Sequence, residues 1–347
     1  LDGRVLVVGL VLSVVTGLVA GLAPALREAG VDPREGLGTQ LGGGGRPRGS
    51  RGVLVVAQVA LAVVLVVGAG HLLLTLRNLR GVDPGFDPLG VVRAYLPLTE
   101  ARYGSDAEIA GFYGELLRRV RALPAVESAG VVWTLPLSGR MAGYSFELRD
   151  PGGLDPRNLQ AGYQPASAGY FETVGIPLIR GRAFRDGEGP DDEPVVIVDE
   201  AFARRFFPGR DPLGQQILAV GEEWRRVVGV VGSVRRRGLQ GEPEPQYYVP
   251  LGQDPRDAMD LVVRAAGSEP GGLVPAIRRI VGEIDPGQPV VAAGPFSDLV
   301  GRSLARSRFL AMTVTVFGGV TLLLAALGIY GVLAQLVAGR TREIGIR

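Results

Sequence analysis

The sequence predicts an α+β domain, two strand-helix-strand units with a β-rich insert, joined to transmembrane α-helices. Three observations carry that prediction. Val5 to Leu26, Gly52 to Leu76 and Phe309 to Gly339 contain no charged residue and are each flanked by arginine. Each is long enough, at about 1.5 Å per residue, to cross a hydrocarbon core of roughly 30 Å. Between the second and third runs the pattern changes to short strands and amphipathic helices.

Orientation follows from the short segment 27 to 51, which holds five arginines (Arg27, Arg34, Arg46, Arg48, Arg51) against Glu28, Asp32 and Glu35. A short Arg-rich loop stays on the cytoplasmic side, whereas a long segment can translocate whatever its charge. Residues 77 to 308 are therefore expected to be extracytoplasmic, with residues 340 to 347 on the cytoplasmic side. A buried soluble helix is the alternative for each run. Arg302, Arg306 and Arg308, on the outer flank of the third run, run against the charge rule.

Within the first run Gly17 and Gly21 lie four apart on one helix face, Gly68 and Gly70 add small residues to the second, and Gly318 and Gly319 to the third. Such residues let helix backbones approach closely in lipid, where apolar burial cannot drive association. The Gln58 amide is costly there unless it bonds a neighbouring helix. His71, near the outer end of the second run, reads as an interfacial residue.

In the outer region, Ile109, Phe112, Tyr113, Leu116, Leu117 and Val120 repeat at helical spacing, so Ser105 to Leu123 is a helix stopped before Pro124. The stretches "VVRAYLPL" and "VESAGVVWT" flank it as strands. A strand and short helix follow in "YQPASAGYFETVGI", and a buried strand and helix in "PVVIVDEAFARRFFPG", with Phe202 and Phe206 one turn apart. A hairpin around Gly221 is expected in "QQILAVGEEWRRVVGVVGSV". "MDLVVRAA", a helix bearing Leu273, Ile277, Ile280, Val281 and Ile284, and "QPVVAA" form the second strand-helix-strand unit.

Composition excludes much chemistry. The 347 residues include no Cys, one His and no Lys, all 37 basic residues being Arg. That removes thiolate sites, the Ser/His/Asp triad in practice, Schiff-base chemistry and a phosphate-binding loop with its lysine. The chain is thus read as no enzyme and as holding no cofactor; if nucleotide energy is used, ATP must be bound by a partner. The acidic stretch "DGEGPDDEP" lacks the ligand alternation of a calcium loop and reads as solvated. "VRRRG" (234 to 238) reads as a surface turn, and a net charge of +2 gives no reason to expect nucleic acid. Tyr247 and Tyr248, in the extended "GEPEPQYYVP", either pack the core or form a contact edge.

Several stretches together resemble a known family. "FETVGIPLIRGRAF", "VIVDEAFARRFFPGRDPLGQ", "VVGVVGSVRRRGL" and "PEPQYYVPL" are similar to the periplasmic core domain of MacB/FtsX-type ABC transporter permeases. "SLARSRFLAMTVTVFGGVTLLLAALGIYGVLAQLVAGRTREIGIR" resembles the membrane segment that follows that domain. The two earlier apolar runs resemble the junction of the duplicated (orphan) members, in which two permease units share one chain.

The resemblance implies that 1–26 is the last span of a first unit, 27–51 a cytoplasmic linker and 52–76 the first span of a second unit. It further implies that 77–308 is its extracytoplasmic domain, 309–339 a span and 340–347 the start of a coupling segment, with two more spans expected beyond. The implied function is transmission of motion from a cytoplasmic ABC ATPase across the bacterial inner membrane to the outer domain. Arg340, Arg342, Glu343, Ile344, Gly345, Ile346 and Arg347 are the implied ATPase contact. Docking in a partner groove would also bury Ile344 and Ile346. A second permease unit or a like copy, the lipid bilayer and a periplasmic protein are the other partners considered. The alternative is a membrane-tethered binding or scaffold protein that never meets an ATPase.

Overall fold

A computed structural model describes residues 49–344, apart from 141–142, 154, 156–158, 220–222, 240 and 268–269. The first apolar run with Gly17 and Gly21, residues 27–48, and Gly345, Ile346 and Arg347 lie outside the described residues, as does the side chain of Gln58. The long helix α1 (Gly49–Arg80) leads into β1 (Val91–Pro97), α2 (Asp106–Arg121) and β2 (Val126–Val132), the first strand-helix-strand unit. The insert comprises β3 (Gly143–Ser145), β4 (Glu147–Leu148), β5 (Gln160–Ala166), α3 (Tyr170–Val174), β6 (Leu178–Gly181), β7 (Val195–Asp199), α4 (Glu200–Phe206), β8 (Gln216–Leu218), β9 (Trp224–Val231) and β10 (Gln246–Pro250). β11 (Ala258–Ala265), α5 (Leu273–Ile284) and β12 (Val291–Pro295) make the second unit, and α6 (Phe296–Ile344) follows at once.

The two units are interleaved rather than adjacent. The sheet runs β12-β1-β11-β2-β5-β10-β7-β9-β8-β4, with β3 on β5 and β6 on β9. β11 lies between β1 and β2, antiparallel to both, and pairs from Val91↔Arg264 to Pro97↔Ala258. This is the split βαβ arrangement, in which each unit supplies the strand that completes the other. Strand alternation then sorts the side chains onto two faces. Val92, Ala94 and Leu96 of β1 join Met259, Leu261 and Val263 of β11 under α2 and α5. Val91 and Val262 join a second core with Phe86, Tyr170, Tyr248 and Phe296.

Local chemistry agrees with this packing. Ser105 caps α2 through a reciprocal box, its hydroxyl accepting from the Glu108 N–H and the Glu108 carboxylate accepting from the Ser105 N–H at 3.1 Å. The six apolar residues expected on the helix face are the six that are buried. On α5, Leu273, Ile277, Ile280 and Val281 are buried and Ile284 is partly so. Phe202 and Phe206 pack at 4.7 Å in a third core with Phe146 and Tyr247. Tyr247 and Tyr248 are fully buried on β10, an interior strand, so they belong to the core and not to a contact edge. The expected hairpin is β8 against β9, paired Gln216↔Arg226 to Leu218↔Trp224.

The surface-turn reading of "VRRRG" is corrected at its centre. Arg235 and Arg237 reach outward groups, but Arg236 is 4% exposed and donates to the Thr134 carbonyl at 2.8 Å. In the acidic stretch, Glu188 accepts from Arg182 at 2.8 Å and Asp192 from the Gly189 N–H at 2.8 Å. Asp186 pairs with Arg121 and Glu193 with Arg226, so four of its carboxylates already have donors.

Val64–Val320 is one compact unit that contains the whole sheet; the remainder of α1 and α6 belongs to a second. Helix α6 is unbroken for 49 residues, about 73 Å at the α-helical rise. It starts thirteen residues before the boundary expected from hydropathy, since Phe296 and not Phe309 is its first residue. Phe309–Leu327 is long and apolar enough to cross a membrane, with mean hydropathy 2.2 and only 17% of the window buried. That exposure argues against a soluble core helix, which would hide such residues. In the second run, Val59–Thr75 is a shorter apolar helix. Two hydroxyls bond within their own helices, Thr315 donating to the Ala311 carbonyl at 2.7 Å and Thr75 to that of His71 at 2.8 Å. Among the described residues, a Cβ added at Gly68 or Gly70 would meet nothing within 4 Å; at Gly318 it would meet Leu65 at 3.7 Å. The close approach thus falls on Gly318.

Candidate functional site

The joint between the sheet and the long helices is densely hydrogen-bonded and packed. The segment 81–90, which links α1 to β1, is held on every side. Asp83 accepts from the Gly85 N–H at 2.8 Å, closing a tight turn. Gly85 has φ +82°, and a Cβ there would lie 2.1 Å from the Ser233 carbonyl oxygen, so only glycine fits. The Arg235 N–H donates to the Pro84 carbonyl at 3.0 Å, and the Asp87 N–H to that of Val174 at 2.8 Å.

Arg264, on β11, fastens the same segment. Its guanidinium donates to the carbonyls of Thr173 at 3.0 Å, Leu89 at 3.0 Å and Asp87 at 3.2 Å, and pairs with the Asp87 carboxylate at 3.4 Å. The planar fork of arginine allows this many donors to act at once. Phe86 is then presented to the first residue of α6: its ring stacks on that of Phe296 at 5.1 Å with 18° between planes. Phe296 is fully buried and Leu299 nearly so, and both belong to the core with Tyr170 and Tyr248. Helix α6 is thereby rooted in the core that also receives the end of the α1 linker.

Beside this root is a buried ion cluster. Asp260, 1% exposed, is held by Arg140 in close contact and by Arg93 at 3.9 Å. Burial pushes the Asp260 carboxyl up while the two arginines oppose the shift. Burial also lowers Arg93 from the usual arginine value, with Asp260 opposing. The Arg140 guanidinium lies over the Tyr95 ring at 4.2 Å. Arg236, lowered by complete burial, is tied to the same loop, its carbonyl accepting from the Leu137 N–H at 2.9 Å. Leu137 and Ala292 have left-handed φ values of 62° and 52° on the wall of a cleft of about 470 Å³ beside this cluster. Strain of that kind persists only where surroundings enforce it.

The sequence-predicted contact residues are elsewhere, at the opposite end of the same helix. Arg340, Arg342, Glu343 and Ile344 are helical in α6, and their side chains lie outside the described residues. Sequence reasoning missed the joint. The available signals were the "DPGF" turn at 83–86 and the spacing of Phe296, Leu299 and Val300 at i, i+3, i+4. No group of three or more acidic or histidine residues suited to a metal occurs among the described residues.

The profile of the MacB-like periplasmic core domain family matches residues 52–293, more than half of the chain. The chain belongs to this family. Its outer sheet is accordingly the extracytoplasmic domain of a membrane protein. Among curated relatives, the probable syringafactin export ATP-binding/permease protein SyfD of Pseudomonas syringae is 27% identical, over 55% of this chain and 29% of that protein. A probable export ATP-binding/permease protein of Pseudomonas fluorescens is 28% identical, over 60% of this chain and 32% of that one. The macrolide export ATP-binding/permease protein MacB of Chromobacterium violaceum is 26% identical, over 51% and 28%. The chain spans about a third of the length of these relatives. The periplasmic region of MacB from Actinobacillus actinomycetemcomitans matches with a TM-score of 0.42 and 13% identity, over 64% of this chain and 94% of that one. For the extracellular domain of the transporter YknZ the TM-score is 0.39 at 14% identity, over 58% and 99%.

Proposed function

We propose that this MacB-like chain is the permease part of an ABC-type export machine in the bacterial inner membrane. In this reading a separate cytoplasmic ATPase binds ATP, and α6 carries the resulting movement to the extracytoplasmic sheet, without catalysis by this chain. One observation supports the reading most: α6 runs unbroken from Phe296, locked in the outer core, through the apolar stretch Phe309–Leu327, to the charged turn Arg340–Ile344. A helix resists bending over that length far better than a loop does, so displacement at one end reaches the other. These 347 residues hold no lysine and so no phosphate-binding loop, which fits a reading in which nucleotide is bound outside them.

The wider assembly follows the same reading. Two permease units, in one chain or as a pair of like copies, flank the ATPase, the chain passes the membrane several times, and a periplasmic protein meets the outer domain. The test is co-purification of the full-length protein from membranes. An ABC ATPase should accompany the wild type and be lost or reduced with Glu343→Arg. Repeated absence of any ATPase would favour a tethered scaffold, and undiminished association of the variant would remove the proposed contact.

A further inference from the structure

The cleft beside the root of α6 carries more positive charge than the joint requires. It is lined by Arg93, Tyr95, Ser138, Arg140, Asp260 and Arg302, among others. Asp260 is the carboxylate that Arg93 and Arg140 share, while Arg302, exposed on α6, has no ion-pair partner among the described residues. Asp298, exposed one turn earlier, is the further carboxylate that acts on Arg93, so three guanidinium groups face two carboxylates. Arg302 and Arg140 both act on Arg93 as like charges. An anion seated among the three would relieve that repulsion, and guanidinium forks match phosphate oxygens bidentately.

Position names the source of the anion. Arg302 precedes Phe309, the start of the apolar stretch, by seven residues, about 10 Å of helix. The headgroup layer adds roughly 5 to 8 Å to each side of the hydrocarbon core. Arg302 therefore stands a few ångströms outside the headgroup layer, from where the long arginine side chain reaches back to the phosphates. We propose that this cleft binds the phosphate of an anionic phospholipid of the outer leaflet, with Arg302, Arg140 and Arg93 as its cationic wall. Arg302 is on α6 and Arg93 and Arg140 are on the sheet side of the cleft, so a headgroup held by all three would brace the root of α6 against the sheet. The proposal rests on Phe309–Leu327 crossing the membrane, and it does not need an ATPase.

The test uses the full-length protein in detergent, offered equal phosphatidylglycerol and phosphatidylcholine, with bound lipid counted by native mass spectrometry. The wild type should retain phosphatidylglycerol preferentially. Arg302→Gln should lower the preference about fivefold, the effect of one surface arginine on an anionic lipid. Arg302→Lys should keep most of it, and Arg118→Gln on α2 should leave it unchanged. An undiminished preference in Arg302→Gln would overturn the proposal. So would displacement of phosphatidylglycerol by millimolar inorganic phosphate, which would make the ligand a soluble anion. Release of the protein by alkaline carbonate would instead refute the membrane span, and is read independently of lipid preference.

Discussion

Phe86, from the linker that follows the first long helix, stacks at 5.1 Å on Phe296, the first residue of the second. The pair joins two chain segments that enter the domain from the helices, and both rings are buried. Truncating Phe296 to Ala removes the stack and opens a cavity, at a cost of about 3 to 5 kcal/mol. Phe296→Leu should cost distinctly less. Denaturation followed by the fluorescence of Trp133 and Trp224, both in the outer domain, measures the difference.

Gly85 and Gly90 both have positive φ, yet they should not respond alike to alanine. At Gly85 the new Cβ would collide with the Ser233 carbonyl at 2.1 Å, whereas at Gly90 the nearest atom is an Arg264 nitrogen at 3.9 Å. Gly90→Ala should lose only the left-handed penalty of about 1 to 2 kcal/mol. Gly85→Ala should lose more, because the Asp83 turn and the Arg235 hydrogen bond must shift as well. Comparing the two variants' melting temperatures decides it.

Asp199 caps α4 and is fully buried, its one oxygen accepting from the N–H groups of Phe202 at 2.7 Å and Gln246 at 3.1 Å. Burial raises its pKa from 3.8 to about 7. With the folded value above the unfolded one, the stabilising contribution is complete below about pH 4 and is lost as pH rises to about 7. Asp199→Asn keeps the accepting oxygen and cannot ionise. The variant should lack this decline and be the more stable protein at pH 8, which a denaturation series from pH 4 to 8 would reveal.

The Tyr113 hydroxyl donates to the Leu96 carbonyl at 2.8 Å and accepts from the Met259 N–H at 3.1 Å, tying α2 to two strands. Tyr113→Phe leaves buried backbone groups without that partner and should cost about 1 to 3 kcal/mol. The expected sign is hydrogen exchange rising first at Met259 and its β1–β11 neighbours.

What could be read from the sequence was whatever local periodicity encodes. The buried face of α2, the Phe202–Phe206 turn and the β8–β9 hairpin all follow from residue spacing. Strand pairing does not: β1 and β11 are neighbours in the sheet although more than 150 residues separate them, and no local pattern specifies that insertion. Arg236 escaped because a guanidinium is read as exposed unless its acceptors, here on Thr134, are known. The start of α6 was hidden by Arg308, Arg306, Arg302 and Asp298, whose charges end an apolar run without ending a helix. The joint needed all three of these non-local facts.

The root of α6 and the outer sheet should move as one body. These 347 residues contain no cysteine, so spin labels can be placed at Glu283→Cys on α5 and Ala305→Cys on α6, both exposed and both within Val64–Val320. Their separation is measured by pulsed electron resonance in membranes with and without ATP. A rigid joint gives one narrow distance, the same in both states and broadened by Phe296→Ala. A wild-type distance that is broad, or that shifts when ATP is added, would show a hinge at the joint and contradict it.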